Sequence, residues 1–174
     1  MIFLVDLDGV VVDMEAGLNE RLLNTGITPV QPLSSYDFVV DYTPKEVEHI
    51  KAIMTTPGFF RHLPIYPGAA DGVCRMLHYG KVFFVTSWMP SAPHSAAEKI
   101  AWVRENFGDV WEKYVILTQD KTTVWGDVLL DDKPIISGVG PRVWQRWVYD
   151  QPYNTEVDAL RVTWDTLEDV LWSM

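Results

Sequence analysis

The stretch MIFLVDLDGVVVD (Met1–Asp13) decides how the rest of the chain is read. Its apolar run, Ile2 to Val5, reads as a buried strand, most simply a central parallel one covered on both faces. Two carboxylates, Asp6 and Asp8, follow at once. Charges at the end of a buried strand lose hydration and repel each other, so the fold must gain something from them there. In open α/β sheets the place just outside the carboxyl ends of the strands is where ligands bind.

Working outward, Glu15 to Asn24 has helical spacing, with Gly26 as its stop. The Pro- and Ser-rich ITPVQPLSSYDF reads as loop, and Thr43-Pro44-Lys45-Glu46 as a capping box opening a helix to about Thr55. Helical spacing returns from Ala69 to Tyr79, with Cys74 read as packed within it. KVFFVTS supplies a second buried strand. Ser95-Ala96-Ala97-Glu98 reads as another capping box, opening a helix to about Phe107. YVILT, DVLLDD and RWVYD read as three further strands, and Asp165 to Trp172 as a last amphipathic helix. Strands alternating with helices predict an α/β, doubly wound parallel sheet. Residues 14–66 break that rhythm. They read as a small helical cap inserted after the first strand, leaving 1–13 and 67–174 as the core of a single domain.

The totals narrow the function. Fourteen Lys and Arg against 24 Asp and Glu leave a formal net charge of −10, which disfavours a nucleic acid polymer as partner. A small phosphorylated molecule is still allowed, because a metal or local cations can serve it. One cysteine permits no internal disulfide and fits a reducing compartment. No apolar stretch is long enough to span a membrane, and MIFLV lacks a basic leader, so the expected location is the cytoplasm. A homodimer is compatible with this reading.

Four strands end in reactive groups: Asp6 and Asp8; Thr86 and Ser87; Lys121, just after YVILT; Asp131 and Asp132. Singly each has an ordinary explanation, since acidic residues and hydroxyls at strand ends form turns and caps, and a lone lysine is usually solvated. Together, on one edge of a parallel sheet, they would converge on one crevice. DLDG is not a calcium loop, which needs glycine at its sixth position and a glutamate at its twelfth. A phospho-receiver domain uses similar groups, but there the lysine comes last, whereas Lys121 precedes the aspartate pair.

DLDGVVVD, VFFVTS and DKTTVWGDVLLDDKP together resemble, in order and type, the four motifs of the haloacid dehalogenase-like phosphatase superfamily. PGFFRHLPIYPGA, EKIAWVRENFG, WVYDQPYN and RVTWDTLEDVL narrow the resemblance to the 5'(3')-deoxyribonucleotidases, from about Thr56 to the end plus the first motif. The resemblance implies an Mg2+-dependent phosphomonoesterase that hydrolyses a deoxynucleoside monophosphate through an aspartyl phosphate. In that family cap aromatics stack on the base, and Phe59 and Phe60 occupy the matching place. Met14 and Trp88 stand where the chain departs from the family pattern and are further candidates for the substrate pocket.

Under this reading Asp6 is the nucleophile, and Asp8 protonates the leaving oxygen and then activates water. Mg2+ would be held by Asp6, Asp131 and the backbone carbonyl of Asp8, with Asp132 either orienting the metal shell or Lys121 or serving as a structural N-cap. Lys121, Thr86, Ser87 and backbone N–H groups around Leu7 and Gly9 would bind phosphate oxygens. Two alternatives stand beside it: a phosphatase of the same superfamily acting on another small phosphoester, such as a sugar phosphate, and a non-catalytic binding module on the same fold.

Overall fold

A computed structural model describes residues 1–23 and 25–174. Its centre is a six-stranded, all-parallel sheet in the order β3-β2-β1-β4-β5-β6. The strands are β1 (Ile2–Val5), β2 (Lys81–Thr86), β3 (Val115–Leu117), β4 (Val128–Asp131), β5 (Gln145–Tyr149) and β6 (Leu160–Val162). The helices are α1 (Met14–Leu22), α2 (Pro44–Met54), α3 (Ala69–Met76), α4 (Ser95–Phe107) and α5 (Leu167–Trp172). None of these helices is long and apolar enough to cross a membrane.

The continuous apolar runs are explained by burial on both faces. Phe3, Val5, Phe84, Leu130 and Trp147 pack into the main core with residues of all five helices. Leu4, Val85 and Leu129 point the other way, onto Ile136 and Trp144 from the connection between β4 and β5. Each such residue is fully buried, and truncating one such leucine to alanine would cost about 2–5 kcal/mol.

Most expected elements are present, with differences at their ends. α1 begins at Met14 because the Asp13 carboxylate caps it, accepting the Ala16 N–H at 2.9 Å. The expected helix end at Asn24 lies outside the described residues. The Thr43/Glu46 capping box forms as expected. The one expected at Ser95 does not. Ser95 instead accepts the Met89 N–H at 2.9 Å, and Glu98 reaches out of the helix to the N–H groups of Gly58 and Phe60. α3 stops at Met76, and Cys74 lies on its exposed side rather than in the core. β6 is an addition: three residues with an arginine at the centre carry too little pattern to be read as a strand.

The strand order places the site. The chain runs outward from β1 to β2 and β3, then crosses back to β4 on the other side of β1. β1 and β4 therefore flank the point where the winding direction reverses, where such sheets bind ligands. Their register pairs Val5 with Leu130, and the Asp6 N–H donates to the Leu130 carbonyl at 2.9 Å. The first carboxylates after β1 thus stand beside those at the end of β4.

Candidate active site

Lys121 organises the carboxylates. It opens a 3-10 turn, Lys121–Thr123, capped by the Asp120 side chain, which accepts the Thr122 N–H at 2.9 Å. Its ammonium lies 2.7 Å from Asp6 Oδ2 and 2.6 Å from Asp131 Oδ2. Burial alone would lower the lysine's pKa. Asp131 and Asp6 more than offset that, so it is raised and the side chain stays charged. Burial pushes Asp6 up to about 6; Lys121 opposes the shift, and Asp131 and Asp8 add to it.

The two aspartates at the end of β4 are used differently. Asp131 is fully buried and has both oxygens taken, Oδ2 by Lys121 and Oδ1 by the Lys133 N–H at 2.8 Å. Asp132 accepts the Tyr153 hydroxyl at Oδ2, while its Oδ1 is buried with no partner. One oxygen each from Asp6, Asp131 and Asp132 lie within 4.8 Å of one another. Burial, with Asp131 and Asp6 nearby, pushes the Asp132 carboxyl well above its usual range. A buried carboxylate oxygen without a donor, among oxygen ligands only, suits a hard divalent cation. Asp132 thus has an unpartnered oxygen to offer, while Asp131, also part of the cluster, is shared with Lys121.

On the β2 side, Thr86 and Ser87 arrive as expected, but with a partner that the strand-end pattern did not contain. Lys99, from the middle of α4, is buried and donates to Asp8 Oδ2 at 2.5 Å, Thr86 Oγ1 at 3.1 Å and the Ser87 carbonyl at 2.6 Å. A signal for it existed. Ser95, Lys99, Trp102 and Val103 form the buried face of α4, and a lysine on such a face needs fixed acceptors.

The loop after β1 is tighter than expected. The Leu7 carbonyl accepts the N–H groups of Val10, Val11 and Val12. The Leu7 N–H is committed to Asp6 Oδ1 at 2.8 Å and the Gly9 N–H to the Val12 carbonyl at 2.9 Å. Neither points a free donor at a phosphate. Gly9 serves another purpose. It has φ +75°, and a Cβ there would collide with the Asp132 carboxylate and come 3.1 Å from the Tyr153 hydroxyl.

Above this floor is a cavity of about 480 Å³. Asp8, Gly9, Ser87, Lys99 and Asp132 line its polar end, while Asp6, Thr86, Lys121 and Asp131 are not among its lining residues. Its apolar walls include Met14, Phe60 and Trp88, as expected, together with Tyr36, Phe38 and Met89. Phe59 is not among them. It is buried beneath Phe60, packed edge-on at 5.0 Å between ring centroids, with the Arg21 guanidinium over its other side.

Residues 1–173 match the family described as 5' nucleotidase, deoxy (pyrimidine), cytosolic type C protein. The chain belongs to this family. Its relatives in the 5'(3')-deoxyribonucleotidase group include the human cytosolic enzyme, 35% identical over an alignment of 144 positions that covers 78% of this chain and 72% of that one. The human mitochondrial form is 32% identical over 87% of this chain and 71% of its own length. A Bordetella pertussis protein assigned to the same group is 36% identical over 98% of this chain and 95% of its own length. Membership of the nucleotidase family makes the chain a phosphoric monoester hydrolase. A haloacid dehalogenase-family hydrolase of Deinococcus radiodurans, with phosphate and sodium bound, superposes with a TM-score of 0.56 over 99% of this chain and 95% of that one. At 14% identity it bears on the fold alone.

Proposed function

We propose that this nucleotidase is an Mg2+-dependent 5'(3')-deoxyribonucleotidase working through an aspartyl phosphate, with residues 14–66 capping the site. The observation that carries it is the Lys121 ammonium held between Asp6 and Asp131, beside the unpartnered Asp132 Oδ1 and under an aromatic-walled cavity.

Asp6 and Asp132, with the Asp8 main-chain carbonyl, would hold the ion. When bound, it offsets the negative charge that accumulates as a carboxylate meets a phosphate dianion. Lys121 adds a second fixed positive charge beside Asp6. An Asp6 oxygen attacks phosphorus and the P–O bond to the nucleoside breaks, with Asp8 giving its proton to the departing oxygen. Asp8 then takes a proton from water as that water attacks the phosphoaspartate. Phosphate leaves and Asp6 is regenerated. Lys99 fixes the direction of Asp8 throughout, and the Ser87 hydroxyl, open to the cavity, binds a phosphoryl oxygen. The apolar walls take the sugar and base. Steady-state assays on a panel of deoxynucleoside, ribonucleoside and sugar monophosphates with Mg2+ test this reading. Preference for the deoxynucleotides is expected, and preference for a sugar phosphate would replace the substrate assignment.

A further inference from the structure

We infer that Tyr153 is a positioning residue for the divalent cation: its hydroxyl pins one oxygen of Asp132 and leaves the other, unpartnered, as a ligand. The inference rests on the metal site of the proposed phosphatase. Tyr153 belongs to a 3-10 turn, Pro152–Asn154, after β5, and this turn grips Asp132 twice. Tyr153 O–H donates to Oδ2, and Asn154 Nδ2 donates to the Asp132 carbonyl at 2.7 Å. Asn154 is itself buried and also donates to the Tyr149 carbonyl at 2.9 Å, so the turn is tied to its own strand.

With the aspartate rotamer set by its buried surroundings, the carboxylate turns about its Cβ–Cγ bond, and a strong donor on Oδ2 restricts where Oδ1 points. Oδ1 is the oxygen left buried without a partner. Gly9 provides the room, since a side chain there would press on both the carboxylate and the phenol. Tyr153 also lines the cavity, with the Tyr36 ring packed edge-on at 6.0 Å between centroids. A group that touches neither the ion nor the phosphate but orients a ligand should set metal affinity, typically by ten- to a hundredfold.

The test is Mn2+ binding to the full-length, chelator-stripped protein, read by electron paramagnetic resonance, with melting temperature measured alongside. Tyr153→Phe keeps the ring and its packing on Tyr36 but removes the donor. It should bind Mn2+ at least tenfold more weakly than wild type, and Asp132→Asn should lose the site. Tyr153→Phe binding Mn2+ within twofold of wild type overturns the inference, as does a wild-type protein that binds none. If Tyr153→Phe does not fold, Tyr153→Leu takes its place under the same criterion. Hydrolysis of phosphomonoesters by wild type is assayed separately. Wild-type turnover with an unweakened Tyr153→Phe removes this inference and leaves the phosphatase standing. Weakened Mn2+ binding without wild-type turnover supports the role of Tyr153 and removes the phosphatase.

Discussion

Lys99 Nζ lies 2.5 Å from Asp8 Oδ2, so a buried lysine from α4 holds the carboxyl that faces the cavity. The same ammonium holds Thr86 and Ser87 from the end of β2, so Lys99 ties together the groups proposed for proton transfer and for phosphate binding. Lys99→Met should lower kcat by about a hundredfold, the scale of losses from misplacing a catalytic group. Asp8 is partly exposed and can be rehydrated, so the fold should survive, unlike the usual outcome for a fully buried pair. A folded Lys99→Met enzyme with kcat within threefold of wild type would show that Lys99 only packs.

Removal of the proposed nucleophile should have two opposite consequences. Asp6→Asn should be inactive, with turnover below a few percent of wild type, because the proposed aspartyl phosphate could not form. In chelator at pH 7 it should also be more stable than wild type. Asp6 has its pKa raised from 3.8 to about 6, so ionising it in the folded protein destabilises the fold as pH rises through that window. The shift corresponds to about 3 kcal/mol at most. The advantage of Asp6→Asn should shrink on acidification and vanish below about pH 4, where wild type is protonated in both states. Melting curves of both proteins from pH 4 to 7 in chelator check the sign. A constant difference would mean that Asp6 is not the titrating group.

Asp8→Asn separates leaving-group protonation from positioning. With a nucleotide, whose departing alkoxide is a strong base, the loss in kcat should be about 10²–10⁴-fold. With p-nitrophenyl phosphate the departing oxygen needs little protonation, and the loss should be smaller. Equal losses on both substrates would argue that Asp8 mainly shapes the site.

What could be read from the residues and what could not follows from range. The apolar runs of β1, β2 and β4 and the groups at their ends are local signals, and the structure brings Asp6, Asp8, Thr86, Lys121 and Asp131 to one edge of the sheet. Lys99 and Tyr153 reach the site from 91 and 21 residues away from the aspartates they bond; the buried face of α4 marks Lys99 as needing acceptors, but no local pattern says which, and none marks Tyr153. The choice between Asp131 and Asp132 depends on which oxygens already have donors, which only packing decides. The capping box at Ser95 fails for the same reason: Glu98 is drawn off by distant N–H groups of Gly58 and Phe60.

In the cavity wall the structure separates Trp88, Phe60 and Phe59, and it keeps Trp88, favoured by its place after Ser87, as the best probe. Trp88 lines the cavity directly after the open Ser87, and its side chain makes no hydrogen bond among the described residues. Base–aromatic stacking contributes about 1–3 kcal/mol per base. Trp88→Ala should therefore lower kcat/KM for a deoxynucleotide by roughly ten- to a hundredfold, with a much smaller change for p-nitrophenyl phosphate. Phe60 is a poorer probe. Its ring lies 5.1 Å from the Lys99 ammonium, so Phe60→Ala disturbs the group that holds Asp8 and should depress both substrates. Phe59, buried beneath it, should behave as core: Phe59→Ala should cost about 3–5 kcal/mol in stability with no substrate preference. Equal losses on nucleotide and p-nitrophenyl phosphate in Trp88→Ala would place the base elsewhere in the cavity, with Tyr36, Phe38, Tyr66 and Tyr153 among its other aromatic walls.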